Sequence, residues 1–283
     1  WWTVYVAARS VSVVAPPPSV PCVVPDDALS QMANVQDATI DFDGCRDAYV
    51  GEGTFAMCRD LRSLTVVSLG DTATFADGFA RHCDALRRVE FSARARQGIR
   101  EIGWSFLAQL RLTEIDLSDM TELTSIGMGF MSHCPELRNV RMHNLPRLTT
   151  VDDSFLGYGA SLEVFDWAGW DSLTTTGPMF LCYARALRRI DFSAAAASLQ
   201  AIGEKTLIHC DKLECVEGLT ALRHLRRIGD DFLFHAVTLT ELEVAGIPEL
   251  RWLGSQFAAE CWSLRRLAVR DTPQLQEVGR GFG

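Results

Sequence analysis

The sequence predicts an α/β repeat solenoid, an elongated fold in which similar short coils stack on one another. The first observation is a repeat every 25 or 26 residues: Leu-x-x-Φ-Asp/Glu-Φ, then Leu-x-x-Ile-Gly-x-x-Phe, then often Cys-x-x-Leu, where Φ is apolar. A fixed period in this range is the signature of repeat architectures. The second is that 48% of the residues are hydrophobic, ample for a continuous core. We expect about ten coils; their copies begin near Asp37 and at Leu61, Leu86, Leu112, Leu137, Leu162, Leu187, Leu213, Leu239 and Leu264.

The first part of each copy predicts a short strand with one buried face. Apolar residues stand at positions 1, 4 and 6, counted from the leading Leu, as at Leu112, Ile115 and Leu117. Alternation at positions 4 and 6 is typical of a strand, and it places positions 3 and 5 on the opposite face. Stacked strands would pair in parallel, and we expect this sheet to be the concave face of the solenoid.

The second part, Leu-x-x-Ile-Gly, predicts another short extended segment. A glycine recurs at its end, with Asp152 in its place in one copy. The glycine fits either a turn with positive φ or a close approach of neighbouring coils. The recurring glycines are Gly103, Gly127, Gly177, Gly203, Gly229, Gly254 and Gly279.

The third part, Phe-Φ-x-x-Cys, predicts one short helical turn, with Phe130 and Cys134 four residues apart on one face. Five of the nine cysteines share this repeat position and exchange with Ala or Gly in other copies, which indicates a small buried side chain. Cys58 and Cys83 lie in adjacent coils, but side chains that point the same way suit a disulfide poorly. We therefore expect free buried thiols, which favour a reducing compartment. The five are Cys58, Cys83, Cys134, Cys210 and Cys261.

The repeat divides the chain into an N-terminal segment and cap, residues 1–36 with a Pro-rich stretch at 16–18, and a repeat domain, residues 37–283. We expect a short strand or cap within residues 1–24; the alternative is the remains of a signal peptide or anchor. The chain starts at Trp1 and its last copy stops after Phe282. We therefore expect a piece of a longer protein, with a final edge that is open or continued.

Charge and motifs argue against several classes of partner and against catalysis. The net charge of −9 disfavours nucleic acid and anionic membranes. No apolar run reaches the roughly 18 residues of a membrane helix, so we expect no membrane insertion within this chain. The motifs of phosphate loops, zinc proteases, calcium loops and nucleophile elbows do not occur, so we expect no enzyme and no cofactor. His-Cys occurs at His82, His133 and His209, but these pairs are two or three coils apart. Zinc needs about four converging ligands, so we expect no metal site.

The segments IGMGFMSHCPELRNV and IGEKTLIHCDKLECV resemble the BspA-like leucine-rich repeats, whose unit carries Ile-Gly-x-x-Phe-x-x-Cys-x-x-Leu-x-x-Ile. The resemblance covers about residues 37–283, and its spacing recurs at least eight times. The family often has Ala before the Phe, where this chain has Ser105, Gly129, Ser154 or Gln256. The resemblance implies a leucine-rich repeat solenoid with a parallel concave sheet and short helical or irregular convex turns. It also implies a role in protein binding or adhesion, with no catalytic residue.

The exposed strand positions form a charge pattern. Position 5 is acidic in seven of ten copies, and Arg often stands at position 2 or 3. These charges either neutralise each other on a solvated face or form a striped surface that recognises a charged protein or peptide. Trp170 lies just past a strand; we expect it to be exposed, as aromatic binding anchors are. The candidate partner-binding residues are Arg88, Asp116, Arg138, Arg141, Asp166, Trp170, Arg189, Asp191, Glu217 and Glu243.

The sequence thus predicts a non-enzymatic protein–protein interaction module that binds a protein or peptide through its concave face, as a monomer or as part of a longer chain. The alternative is a structural or adhesin-like spacer in a longer repeat array at the cell surface. The compartment stays open, because buried free cysteines favour the cytoplasm whereas the resemblance allows a surface position.

Overall fold

The computed structural model describes residues 3–7, 9–14 and 22–282, and the Pro-rich stretch at 16–18 lies outside them. The chain is a parallel-sheet solenoid of about ten coils, which confirms the predicted architecture. Each regular coil gives one strand to each of two faces and then returns through a segment of turns. The apolar positions of both strands point inward, so the core runs through the whole stack.

The Leu-x-x-Φ-x-Φ segments form the first face, which we call the striped face. It is divided into four sheets of five, three, two and two strands. A short helix, Ala93–Gly98, and the 3₁₀ turns Phe192–Ala195 and Leu219–Ala221 follow strands of this face. The strands are Thr3–Ala7, Ser10–Val14, Asp37–Asp41, Ser63–Ser68 and Arg88–Phe91; then Glu114–Asp116, Asn139–Arg141 and Val164–Asp166; then Arg189–Asp191 with Cys215–Glu217; and Glu241–Ala245 with Arg266–Arg270.

The Leu-x-x-Ile-Gly segments form the second face, which we call the central sheet. Its eleven strands make one continuous parallel sheet in chain order. Both extended segments of the copy were predicted; the second builds the unbroken sheet, whereas the first, which we expected to form the concave sheet, builds four shorter ones. The strands are Cys22–Val24, Asp47–Val50, Thr72–Phe75, Ile99–Ile102, Ser125–Ile126, Thr150–Val151, Thr175–Thr176, Ala201–Ile202, Arg227–Ile228, Trp252–Leu253 and Glu277–Val278.

The glycine column explains why the central sheet is unbroken. Gly229 and Gly254 do not have positive φ. A Cβ atom on Gly254 would lie 2.4 Å from the backbone nitrogen of Asp230 in the preceding coil, closer than a Cβ can approach. Of the two explanations, close approach of neighbouring coils is therefore correct, and the positive-φ turn is wrong.

The segment from Phe to Cys is not the helical turn that we predicted. Alternate residues have positive φ, as at Ser105 (53°), Leu107 (50°) and Gln109 (59°), and this alternation cannot continue a right-handed helix. The alternation turns the N–H groups of alternate residues toward opposite neighbouring coils. The Leu107 N–H donates to the preceding coil at Phe79 O (2.9 Å), and the Gln109 N–H donates to the following coil at Ser132 O (2.9 Å). The turns therefore bind each coil to both of its neighbours.

A column of phenylalanine rings fills the core behind these turns. The rings of Phe79, Phe106, Phe130, Phe155 and Phe180 are fully buried and stacked, with centroids 5.1–5.7 Å apart. Thr54 and Thr206, also fully buried, take the ring's repeat position in the coils at the two ends of this run. Threonine fits there because its hydroxyl donates back to the backbone, from Thr206 Oγ1 to Gly203 O at 2.9 Å.

The predicted cysteine column is confirmed as five free, buried thiols: Cys58, Cys83, Cys134, Cys210 and Cys261. Burial raises the pKa of Cys134 to about 12, so this thiol stays neutral. Cys22 and Cys45, outside the column, form a disulfide that we did not predict, with Cα atoms 6.3 Å apart. Disulfides persist in oxidising compartments, so the cysteines no longer favour a reducing one.

The regular coils begin upstream of residue 37. Ser10–Val14 pairs in parallel with Asp37–Asp41, and Cys22–Val24 pairs in parallel with Asp47–Val50. Thr3–Ala7 adds an antiparallel strand at the edge, so the strand expected within residues 1–24 is present. None of the helices in the described part of the chain is long and apolar enough to cross a membrane.

Candidate functional site

The structure brings the middle of the predicted charge column together on the striped face. Asp116, Arg141 and Asp166 occupy equivalent positions of three adjacent strands, and Asp191 is paired in register with Glu217. The column is therefore a real feature of the surface. The sheet breaks, however, between Asp166 and Asp191, so the acids do not form one continuous stripe.

Ion pairs occupy many of the candidate residues on the striped face. Arg138 Nη1 lies 2.9 Å from Glu163 Oε1, and both side chains are more than half exposed. Exposed pairs of this kind contribute about 0–1 kcal/mol each, so they neutralise charge rather than hold the fold. Further pairs join Arg88 with Glu90, Arg189 with Glu217, and Arg270 with Glu243.

Two of the predicted acids also have local structural partners. Asp116 has a lowered pKa: burial raises it, but the Ser118 N–H that donates to Oδ1 at 3.0 Å and nearby Arg96 and His143 outweigh that effect. The Asp191 carboxylate accepts a hydrogen bond from the N–H of Ser193 at 2.9 Å and so caps a 3₁₀ turn.

The prediction that Trp170 is exposed was wrong. Its side chain is fully buried, and its Nε1–H donates to Met142 O at 2.6 Å. The ring packs edge-on against Phe155 and Phe165. Trp170 is therefore a core residue, because its position after the strand points inward.

A long concave feature runs along the exposed side of the central sheet. We call it the groove; it encloses ≈ 1010 Å³ and crosses eight strands, from Asp47–Val50 to Arg227–Ile228. At about 4.8 Å per strand, it is roughly 34 Å long, the length of about ten extended residues. Small side chains form its floor: Thr74, Ser125, Thr150, Thr175 and Ala201.

Carboxylates dominate the lining of the groove. Six acidic residues line it, with Arg227 as the single basic one. No ion pair within residues 22–282 includes Glu52, Glu101, Asp152 or Glu204. The groove is therefore negatively charged, in contrast to the paired charges of the striped face. The six acids are Asp26, Glu52, Asp77, Glu101, Asp152 and Glu204.

Two exposed aromatic rings stand among these acids. Tyr49 is 41% exposed and Trp104 is 53% exposed. The pKa of Tyr49 is raised by burial and by the nearby Asp26, Asp77 and Glu52, as expected for a phenol in a negative field. The Trp104 N–H donates to Asp77 Oδ1 at 2.7 Å, which fixes the carboxylate beside the ring. Together these groups suit cationic and apolar side chains.

The sequence carries a signal for this groove that our reasoning did not use. The residue after the glycine column is acidic at Glu52 and Glu204, and Asp77 occupies the same position after Ala76. Its recurrence marks a second column of exposed acids beside the central sheet. We overlooked it because we assigned the recognition surface to the first strand of each copy.

Outside the groove, one further set of side chains has the composition of a metal site. Potential ligand atoms of His209, Asp211 and His235 lie within 4.8 Å of one another. They belong to adjacent coils on the turn side of the solenoid.

Comparison with known proteins gives similarity in fold. No family model matches the chain, and no curated protein matches it. A leucine-rich repeat protein from Bacteroides ovatus is 16% identical, covers 98% of this chain and 89% of its own, and has a TM-score of 0.38. The leucine-rich repeat protein of T. pallidum is 11% identical, covers 93% of this chain and 87% of its own, and has a TM-score of 0.43. The pneumococcal vaccine antigen PcpA is 14% identical, covers 98% of this chain and 84% of its own, and has a TM-score of 0.39.

Several of the solved structures similar to this chain are bacterial leucine-rich repeat proteins, and its sequence resembles the BspA-like repeat.

Proposed function

We propose that this chain is a non-enzymatic interaction module that binds an extended, positively charged segment of a protein partner in the groove. The observation that carries the proposal is the unpaired negative charge of the groove beside two exposed aromatic rings. A partner with Lys or Arg at alternate positions would place cations near Glu101 and Glu204 and over the faces of Tyr49 and Trp104. The floor of small side chains leaves room for the partner's backbone.

The candidate residues of the striped face are a weaker proposal for the same role. Arg88, Arg138, Arg189, Glu217 and Glu243 already have ion-pair partners within the chain. A ligand would have to displace these contacts. Asp116, Arg141, Asp166 and Asp191 remain candidates for a secondary contact.

Fluorescence anisotropy with labelled peptides of about ten residues tests the proposal. We expect saturable, salt-sensitive binding of Lys/Arg-rich peptides and no binding of Asp/Glu-rich ones. The double variant Glu101→Lys, Glu204→Lys should weaken binding about tenfold or more. The matched control, Glu114→Lys with Glu241→Lys on the striped face, changes two exposed acids outside the groove and outside the candidate set, and it should bind as the wild type does.

Three outcomes would refute the proposal. Equal binding of acidic and basic peptides would show that the groove charge is irrelevant. An unchanged affinity of the groove variant would show that Glu101 and Glu204 do not contribute to binding. Loss of binding in the control variant alone would move the site to the striped face.

A further inference from the structure

The two histidines of the cluster are held in place by the turn segments. His209 and His235 occupy the same repeat position in adjacent coils, and both have positive φ, 55° and 60°. The His209 N–H donates to Phe234 O and the His235 N–H donates to Ala259 O, each at 2.9 Å. Their ring centroids are 4.6 Å apart. The backbone therefore fixes two imidazoles side by side on the turn side of the solenoid.

Asp211 completes a set of three potential ligands. His235 Nδ1 lies 3.5 Å from Asp211 Oδ1. In a tetrahedral zinc site with metal–ligand distances of about 2.1 Å, two ligand atoms are about 3.4 Å apart. The existing separation is thus already that of two ligands of one ion. The ligand atom of His209 lies within 4.8 Å of those of Asp211 and His235.

Unsatisfied polar atoms point to a cation at this place. Asp211 Oδ1 and His235 Nδ1 are both buried atoms without a hydrogen-bond partner in the described part of the chain. A carboxylate oxygen facing an imidazole lone pair is unfavourable unless a proton or a metal ion lies between them. A proton would give an ion pair of His235 and Asp211, which is the competing explanation.

Arg185 contacts one oxygen of Asp211 and leaves the other available to a metal ion. Arg185 Nε lies 3.6 Å from Oδ2 of Asp211, the oxygen that does not face His235. Glu260, two coils beyond His209, adds negative charge near that ring.

We propose that His209, Asp211 and His235 form a binding site for a divalent transition-metal ion, with Zn²⁺ as the probe and solvent at the fourth position. Two imidazole nitrogens with one carboxylate oxygen are a donor set that zinc takes in proteins. Each ion would link two neighbouring coils. The proposal is independent of the groove, which lies on another side of the coils.

A second copy of the His-Cys-Asp tripeptide in the same chain provides an internal comparison. His82-Cys83-Asp84 repeats the tripeptide His209-Cys210-Asp211, but Gln109 stands in the adjacent coil where His235 stands in the other. The first copy therefore lacks one imidazole. If the tripeptide alone bound zinc, both copies would bind it.

Isothermal titration of the chelator-treated full chain with Zn²⁺ near pH 7.5 tests the site, with thermal unfolding as a second readout. We expect one ion per chain and a higher Tm with Zn²⁺. His209→Ala, His235→Ala and Asp211→Asn should each weaken binding about tenfold or more. His82→Ala, the matched control, should bind as the wild type does. Arg185→Gln should bind more tightly, because it removes a competing cation. Unchanged melting without metal will show that the variants fold.

The proposal fails if the wild type shows no saturable single site, or if His235→Ala binds with unchanged affinity. It also fails if Co²⁺ bound in place of Zn²⁺ gives an absorption spectrum of thiolate ligation, since the free cysteines would then be the ligands. In either case the contact between Asp211 and His235 is an ion pair and not a shared metal site.

Discussion

Replacing Phe130 by Ala should destabilise the solenoid more than any change at its surface. The ring is fully buried and stacked between Phe106 and Phe155, with centroids 5.7 and 5.1 Å away and planes within 3° of parallel. Truncating a buried Phe costs about 3–5 kcal/mol. Because two stacked contacts of about 0.5–1.5 kcal/mol each are also lost, we expect a value near the upper end, about 5 kcal/mol.

Phe282 provides the matched comparison at the same repeat position. Its ring is 37% exposed and stacks on Phe257 at 5.1 Å. With part of the burial and one stacked contact, Phe282→Ala should lose about 2 kcal/mol. Phe130→Leu keeps most of the apolar volume and removes the ring, so about 1–2 kcal/mol is expected.

Urea unfolding followed by circular dichroism measures these differences, provided that the dependence of the free energy on urea is the same for all variants. A reduced dependence would mean that the coils on either side of Phe130 unfold separately, which stacked repeats allow. If Phe130→Ala loses no more free energy of unfolding than Phe282→Ala, the ring column does not hold the coils together, and the reasoning is refuted.

Three further predictions concern the glycine column, one carboxylate and the disulfide. Gly229→Ala should cost about 2–3 kcal/mol by overpacking, since its Cβ would meet backbone at 2.4 Å. Gly246 has positive φ, and nothing lies within 4 Å of a Cβ added there, so Gly246→Ala should cost only the strain of a left-handed residue, about 1 kcal/mol. Equal losses of unfolding free energy for the two variants in urea would contradict the close-approach explanation. The lowered pKa of Asp116 stabilises the fold above its unfolded pKa of about 3.9, and that contribution is lost as pH falls through the folded value. The stability difference between wild type and Asp116→Asn, from urea curves across acid pH, should therefore shrink; a constant difference would exclude this linkage. Replacing Cys22 and Cys45 by Ser should cost about 3 kcal/mol for a loop of this length, measured by thermal unfolding; an unchanged Tm would mean that the bridge is not formed.

The repeat period and the inward-facing columns could be predicted because they follow from spacing alone. Leu112, Ile115 and Leu117 are buried as expected, and so are Phe130 and Cys134. Spacing does not reveal backbone handedness, however. The alternating positive φ of the turn segment occurs at Ser105, Leu107 and Gln109, residue types that give no warning of it.

The candidate site was less predictable. Each coil has two strands, and the sequence does not show which of the two strand faces carries the groove. The charge pattern of the first strand was clear, and its register is as predicted, but many of its charges are paired. The disulfide joins cysteines outside the repeat column, so the column gave no reason to connect Cys22 with Cys45. The histidine cluster needs His235, which has no cysteine after it and so did not belong to the motif.

We expect the ring column also to influence the curvature of the solenoid. Because the rings of Phe106, Phe130 and Phe155 are almost parallel, their centroid spacing of 5.1–5.7 Å measures the step from coil to coil at that depth. The strands of a sheet are about 4.8 Å apart, so each coil is a wedge, thicker on the ring side. Thr54 and Thr206 remove the ring at either end of the run, and the groove spans the coils between them with one strand beyond. We therefore expect the number of consecutive rings to influence the length of segment that the groove can hold.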